Sequence, residues 1–211
     1  MSNTKQNTDK NNSTATTTMK PNDGGQAIPF FIRPARQDEK EVLEHIVALS
    51  VRELSREEYS EREIEGALRT VFGIDSELVK DGTYFAVEAR IDGAVPIVVA
   101  CGGWSRRKTL FGGDQFEGRE SEELDPATDA AKVRAFFVHP AWARRGIGTL
   151  ILEECERAAK AHGFTQLELM ATLPGEKLYR TYGFVASEPI QHTMGEYGTI
   201  TFVPMKKAIS L

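Results

Sequence analysis

Ala131–His162 reads AKVRAFFVHPAWARRGIGTLILEECERAAKAH. Val133 to Val138 is a run of apolar and β-favouring residues that stops at His139-Pro140. A basic, glycine-containing turn follows, Ala143-Arg144-Arg145-Gly146-Ile147-Gly148, and a helical segment runs on from Thr149. Strand, short turn and helix in that order aim the free N–H groups of a helix N-terminus at one point, with the helix dipole behind them. Such a point binds anions, and two arginines beside it favour phosphate. Neither glycine carries a Cβ, so the backbone can come close to a ligand. The stretch predicts a phosphate-bearing ligand.

The helix itself has an ordinary structural pattern. Ile147, Leu150, Ile151, Cys155, Ala158, Ala159 and His162 recur at three- and four-residue spacing, one apolar face for a sheet. Glu153, Glu154, Glu156, Arg157 and Lys160 fill the solvated face. His162-Gly163 reads as a C-terminal cap, which makes His162 a helix-end residue rather than a catalytic one. Two common nucleotide sites are excluded. No Gly-Lys-Ser or Gly-Lys-Thr triplet exists for a P-loop, and the third glycine of a dinucleotide fingerprint is replaced by the bulky Ile151.

Outward from this stretch, Phe30–Pro34 reads as a strand ended by proline. Asp38 and Glu41 form a capping-box-like start for a helix striped by Val42, Leu43, Ile46, Val47, Leu49 and Leu54. Ser60–Phe72 is a second helix carrying Ile64, Leu68, Val71 and Phe72. Tyr84–Arg90 and Ile97–Trp104 form a hairpin through Asp92-Gly93, with Pro96 near the start of its second strand. Residues 105–130 are a long polar insertion with six acidic side chains between Glu117 and Asp129. Downstream come a strand at Thr165–Ala171, a short helix at Gly175–Tyr182, and a strand pair at Gly183–Ile190 and Thr199–Lys206. The order β-α-α-β-β-β-α-β-α-β-β predicts an α/β layered domain with a mixed sheet.

Composition narrows the function classes. A net charge of −5 and a pI near 5.5 argue against nucleic acid or an anionic membrane surface as the main partner. Cys101 and Cys155 supply neither a disulfide framework nor a metal cluster, and their apolar neighbours predict plain burial. Apolar runs are too short to span a bilayer. Residues 1–27 hold 13 Ser, Thr or Asn and predict a disordered tail, with neither a secretory core nor an arginine for a mitochondrial presequence. A cytoplasmic protein is expected, with the folded domain at residues 28–211.

Two landmarks carry a family resemblance. Val138-His139-Pro140 followed by Gly146 and Gly148 resembles the acetyl-CoA signature of the GCN5-related N-acetyltransferase (GNAT) superfamily, with Ala143 where the family usually has Gln or Arg. Leu178-Tyr179-Arg180-Thr181-Tyr182-Gly183-Phe184 is similar to the family's Tyr four residues before a Gly-Phe pair, while Thr172 stands where an Asn is common. The resemblance implies a single-domain, GNAT-like mixed sheet flanked by helices. It further implies an acyl-CoA-dependent N-acyltransferase that moves acetyl from acetyl-CoA to a small-molecule or peptide amine by direct attack, without a metal. Tyr179 would protonate the departing thiolate, since a neutral phenol can donate. Phe136, Phe137 and Val138 would hold the pantetheine arm, the main chains of Phe136 and Val138 pairing with it like an added strand. Arg144, Arg145, Gly146, Ile147, Gly148 and Thr149 would hold the phosphates, with Lys177 and Arg180 nearby.

The acceptor side gives opposed cues. Trp104 and Arg106 are expected to bind substrate, within a basic cluster with Arg107 and Lys108, whereas the acidic loop suits a cationic amine. Glu88, Asp129, His139 and Glu168 are the candidate bases. A non-catalytic acyl-CoA sensor on the same fold is the alternative. The edges of a mixed sheet leave room for a homodimer.

Overall fold

The computed structural model describes residues 16–17, 28–91 and 93–210. Of the N-terminal segment, only Thr16–Thr17 is described, as a short strand β1 beside Phe30 and Phe31; the expected disorder of the rest lies outside the described residues. So does Asp92 of the hairpin turn, whose neighbour Gly93 takes the left-handed φ of 75° that such a turn requires.

β2 (Phe30–Pro34) buries Phe30 and Ile32 by simple alternation. A 3-10 turn, Gln37–Glu39, then leads into α1 (Lys40–Leu54). The expected Asp38–Glu41 cap is displaced. Arg36 N–H donates to the Glu39 carboxylate at 2.8 Å, because Glu39 is drawn inward to the Arg33 guanidinium. α1 buries Leu43, Ile46, Val47, Ser50 and Val51, while Val42 points outward. α2 (Glu61–Thr70) starts at Ser60 with a reciprocal cap to Glu63. α3 (Ser76–Lys80), capped by Asp75, is too short to leave a periodic signal and has no counterpart in the sequence reading.

The remaining strands and helices are β3 (Tyr84–Ala89), β4 (Ile97–Ser105), β5 (Ala131–Val138), α4 (Ile147–Ala161), β6 (Gln166–Thr172), α5 (Leu173–Thr181), β7 (Val185–Ala186), β8 (Ile190–Thr193) and β9 (Thr199–Ala208). The sheet order is β1-β2-β3-β4-β5-β6-β9-β7, with β8 also on β9. The single strand expected at Gly183–Ile190 is in fact β7 and β8, interrupted at Pro189, which has no N–H for the ladder. One face of the sheet packs Leu150, Ile151, Cys155, Phe164 and Leu167; the other packs Leu43, Ile46, Ala67, Leu78 and Phe202. Both cysteines are free and fully buried, and burial pushes the Cys101 thiol up to about 12, so each serves as packing. His162 caps α4, its Nδ1 lying 2.8 Å from the Ala158 carbonyl.

Among the described residues only β5 and β6 run parallel, and they pair at just two positions, Ala131↔Leu167 and Lys132↔Glu168. Beyond Lys132 the strands part. The cause lies in β5, whose register with β4 shifts between Cys101 and Gly103 and whose Ala135 has a φ of 56°. A bulge of this kind bends its strand and ends pairing on the far edge.

The insertion between β4 and β5 is not loose. Thr109 N–H donates to Glu120 O at 3.1 Å and Leu124 N–H to Arg106 O at 2.7 Å, folding the loop back on itself. Arg107 binds Asp81 at 2.7 Å, and Arg119 binds the fully buried Asp75 at 2.7 Å. Asp75 also holds the buried Arg134 of β5 at 2.8 Å, and Arg134 donates to the Gly112 carbonyl at 2.5 Å. Asp75 therefore ties the α3 start, the loop and β5 together. Asp75→Asn should strand Arg134 as an uncompensated buried charge and cost about 3–5 kcal/mol, read as a fall in the urea midpoint. A loss under about 1 kcal/mol would remove Asp75 from this role.

Candidate active site

The wedge between β5 and β6 holds a cavity of about 660 Å³. Phe136, Phe137 and Val138 of β5 form one wall, and Thr172, Pro174, Gly175, Leu178 and Tyr179 the other. Ala143–Thr149 closes one end, except for Arg145, and Ser50, Val51 and residues 53–58 at and after the end of α1 face it. The site is assembled because β5 leaves β6: a continuous ladder would fill this space.

The closing turn has the geometry of an anion site. Arg144 and Gly146 both have left-handed φ values, 63° and 77°, which turn successive N–H groups toward one side. Gly146 is the N-cap of α4, and Leu150 N–H makes the first helix bond to Gly146 O at 3.1 Å. The N–H groups of Ile147, Gly148 and Thr149 therefore have no acceptor within the helix. Arg144 lines the cavity. Arg145 does not: its guanidinium lies over the Trp142 ring at 5.0 Å. A Cβ on Gly148 would meet Leu178 at 2.7 Å, so this glycine also lets α5 pack against α4.

Tyr179 is buried at the other end, edge-on to Phe136 and Phe184. Burial above all, with the neighbouring Cys155, raises its pKa well beyond that of a free phenol, so it keeps its proton. Tyr179 also lines a second cavity of about 70 Å³. Phe72, Phe136, Phe137, Thr172 and Tyr179 are common to both cavities and mark their junction.

Helix α5 is held from an unexpected quarter. Thr172 is its N-cap residue, yet its hydroxyl makes no capping bond. Instead Leu173 N–H donates to the Tyr59 hydroxyl at 2.9 Å, and that hydroxyl donates to Thr201 O at 2.6 Å. Tyr59 directly follows Glu58 of the facing wall, so one buried side chain fixes the spacing of both walls. Nothing in the sequence pattern singles it out.

The acceptor-side expectations are placed elsewhere. Trp104 is buried behind the sheet against His162 and Phe164 and lines neither cavity. Arg106 pairs with Glu123 at 3.1 Å, and Lys108 pairs with Glu122, so the basic and acidic cues neutralise each other. Of the candidate bases, Glu88 binds Arg33 at 2.6 Å, Glu168 is held by Lys132 and Lys206, Asp129 accepts from Asp125 N–H at 2.8 Å, and His139 accepts from Ala141 N–H at 3.2 Å. None lines either cavity. Arg180 is bound to Glu176, and neither it nor Lys177 reaches the cleft. Among the described residues, no group of three potential metal ligands occurs.

A family profile described as "Acetyltransferase (GNAT) domain" matches residues 125–209, the span that holds the splayed strand, the anion turn and Tyr179. Over that span the chain is similar to the GNAT superfamily. Solved GNAT structures share its fold. A GCN5-related N-acetyltransferase from Rhodopseudomonas palustris is 18% identical with a TM-score of 0.59, over 84% of this chain and 94% of that one. A phosphinothricin acetyltransferase from Sinorhizobium meliloti, in complex with AcCoA, is 20% identical with a TM-score of 0.54, over 85% and 88%. The PaiA N-acetyltransferase from Thermoplasma acidophilum, in complex with coenzyme A, is 15% identical with a TM-score of 0.54, over 85% and 98%. A search of curated proteins finds no match.

Tyr59→Phe should leave the GNAT fold intact, orphan Leu173 N–H, and cost about 1–3 kcal/mol in equilibrium unfolding. Amide exchange should rise at the first turn of α5; unchanged protection there would show that the cap is dispensable.

Proposed function

We propose that the protein is an acyl-CoA-dependent N-acyltransferase that moves acetyl from acetyl-CoA to an amine. One observation carries this reading: a single cavity runs from the α4 N-terminus, with its free N–H groups, to Tyr179. The neighbouring structures bound to coenzyme A and AcCoA support the same ligand class.

The residues divide the work by position. Ile147, Gly148 and Thr149 N–H, with Arg144, receive the pyrophosphate. The β5 edge from Val133 to Val138, which no strand covers on the β6 side, pairs with the amide-bearing pantetheine arm. Val138 N–H already donates to Ser50 Oγ at 3.2 Å, a hydroxyl able to rotate away and yield this donor. At the junction a neutral amine attacks the thioester carbonyl; the C–N bond forms, the C–S bond breaks, and Tyr179 O–H protonates the departing sulfur. The amine's lost proton restores the phenol through solvent. No covalent enzyme intermediate is needed, since both cysteines are sealed in the core. The acidic composition fits a cytoplasmic enzyme, and no helix among the described residues is long and apolar enough to cross a membrane.

Acetyl-CoA should raise the melting temperature, and thiol release should follow on addition of an accepted amine. Stabilisation with no release across a broad amine panel would favour the non-catalytic sensor. Tyr179→Phe should lower kcat by roughly 10²–10⁴ while leaving the acetyl-CoA Kd within twofold; an unchanged kcat would take Tyr179 out of the chemistry. Gly146→Val should abolish binding, since the φ of 77° is denied to a β-branched residue.

A further inference from the structure

Resting on the acyltransferase reading, we infer that Tyr84, a β3 residue lining neither cavity, is a positioning residue for the transfer: its hydroxyl holds the bulged β5 backbone that aims the Phe136 N–H at the thioester. The side chain is fully buried, and its hydroxyl donates to the Ala135 carbonyl at 3.0 Å, although β4 lies between the two strands. Glycines in β4 make that reach possible. A Cβ on Gly103 would stand 3.0 Å from the Tyr84 ring and 2.3 Å from the Thr83 carbonyl, so the ring crosses β4 over bare backbone. A Cβ on the adjacent Gly102 would stand 2.8 Å from the Phe136 ring, on the opposite face. Between the pairs Cys101↔Phe137 and Gly103↔Arg134, Gly102 alone opposes both Ala135 and Phe136. Both rings are therefore seated at the bulge itself.

The consequence falls on the reacting atoms. Ala135 has a φ of 56°, which a residue with a Cβ keeps only where its surroundings enforce it. Asp75 and the Gly112 carbonyl hold Arg134 before it, and Tyr84 holds the carbonyl of Ala135 itself. Beyond the bulge, Phe137 pairs with Cys101, while the Val138 N–H turns to the other side and meets Ser50. Backbone groups two residues apart point the same way along a strand, so the Phe136 N–H also turns to the cleft. It does so beside Tyr179, whose ring lies 6.1 Å from that of Phe136. As the amine attacks, the thioester carbonyl oxygen gains a negative charge that this N–H stabilises, and the charge returns as the C–S bond breaks. Burial above all, then the Cys101 thiol beside it, raises the Tyr84 pKa well above that of a free phenol, so the hydroxyl keeps the proton it donates. Without this donor Ala135 relaxes toward extended backbone and the Phe136 N–H swings off the thioester. The α4 turn that holds the phosphates is untouched.

The test compares the parent with Tyr84→Phe, which keeps the ring and removes the donor, and with Ile64→Val, a trimming of the core on α2. Coenzyme A calorimetry is paired with thiol release from acetyl-CoA, using the best amine of a broad panel or, failing one, water. Tyr84→Phe should lower kcat by about tenfold or more while the coenzyme A Kd stays within about twofold. Ile64→Val should lower the unfolding midpoint and leave kcat unchanged. Adding Ala135→Gly to Tyr84→Phe should restore kcat by about threefold or more, since glycine takes a positive φ unaided. An unchanged kcat in Tyr84→Phe, a fall matched by an equal loss of coenzyme A binding, or a double variant that regains stability but not kcat overturns the assignment of Tyr84 alone. A parent that binds no coenzyme A, or releases no thiol under any of these conditions, overturns the acyltransferase reading and the Tyr84 assignment with it.

Discussion

Two parallel pairings and no more join β5 to β6, and the rest of the molecule is arranged around that arrest. A backbone that leaves its ladder exposes donors and acceptors that must find partners elsewhere. Along β5 one such donor, Val138 N–H, is taken up by Ser50 of α1. The remaining edge faces a cavity rather than the core, so its polar groups stay available to a ligand bearing amides. The bend that produces this is held by the left-handed Ala135, a conformation disfavoured for a residue with a Cβ. It persists because its neighbours on both sides are anchored: Arg134 by Asp75 and Gly112, Phe137 within the α1–α2 core.

The parts legible in the sequence were those with period or punctuation. β5, the Pro140 stop, the glycine turn and α4 all declare themselves, because alternation and three-to-four spacing are strong over such lengths. Ile64, Leu68 and Val71 marked α2 for a similar reason. The site's other half carries no such pattern. Tyr59 acts on Leu173 across 114 positions, and Ala135 looks like any strand alanine. Residue type also misled where partners were invisible. Glu88 and Glu168 resemble bases until Arg33, Lys132 and Lys206 are found on them, and Trp104 resembles a binding aromatic until it is seen under His162.

That pairing of charge has a functional reading at the level of the whole fold. The acidic loop and the basic cluster after β4 satisfy each other, and Asp75 gathers two arginines beneath the sheet. The chamber beyond Tyr179 is lined by aromatic rings together with Arg134 and Thr172. The donor end is the reverse: exposed N–H groups and Arg144 around a turn.

On the proposed acyltransferase reading, burial at Tyr179 also lessens the need for a dedicated carboxylate base. Burial disfavours whichever form is charged, so it raises the pKa of a phenol and lowers that of an amine. The Tyr179 shift has this origin, with burial its largest cause. The same surroundings that keep the phenol protonated would hold an incoming amine unprotonated, placing acid and nucleophile in working form side by side. A carboxylate at the junction would upset both, holding the amine as an ammonium ion. Among the described residues no carboxylate lines the chamber that Tyr179 shares, which agrees with that reading.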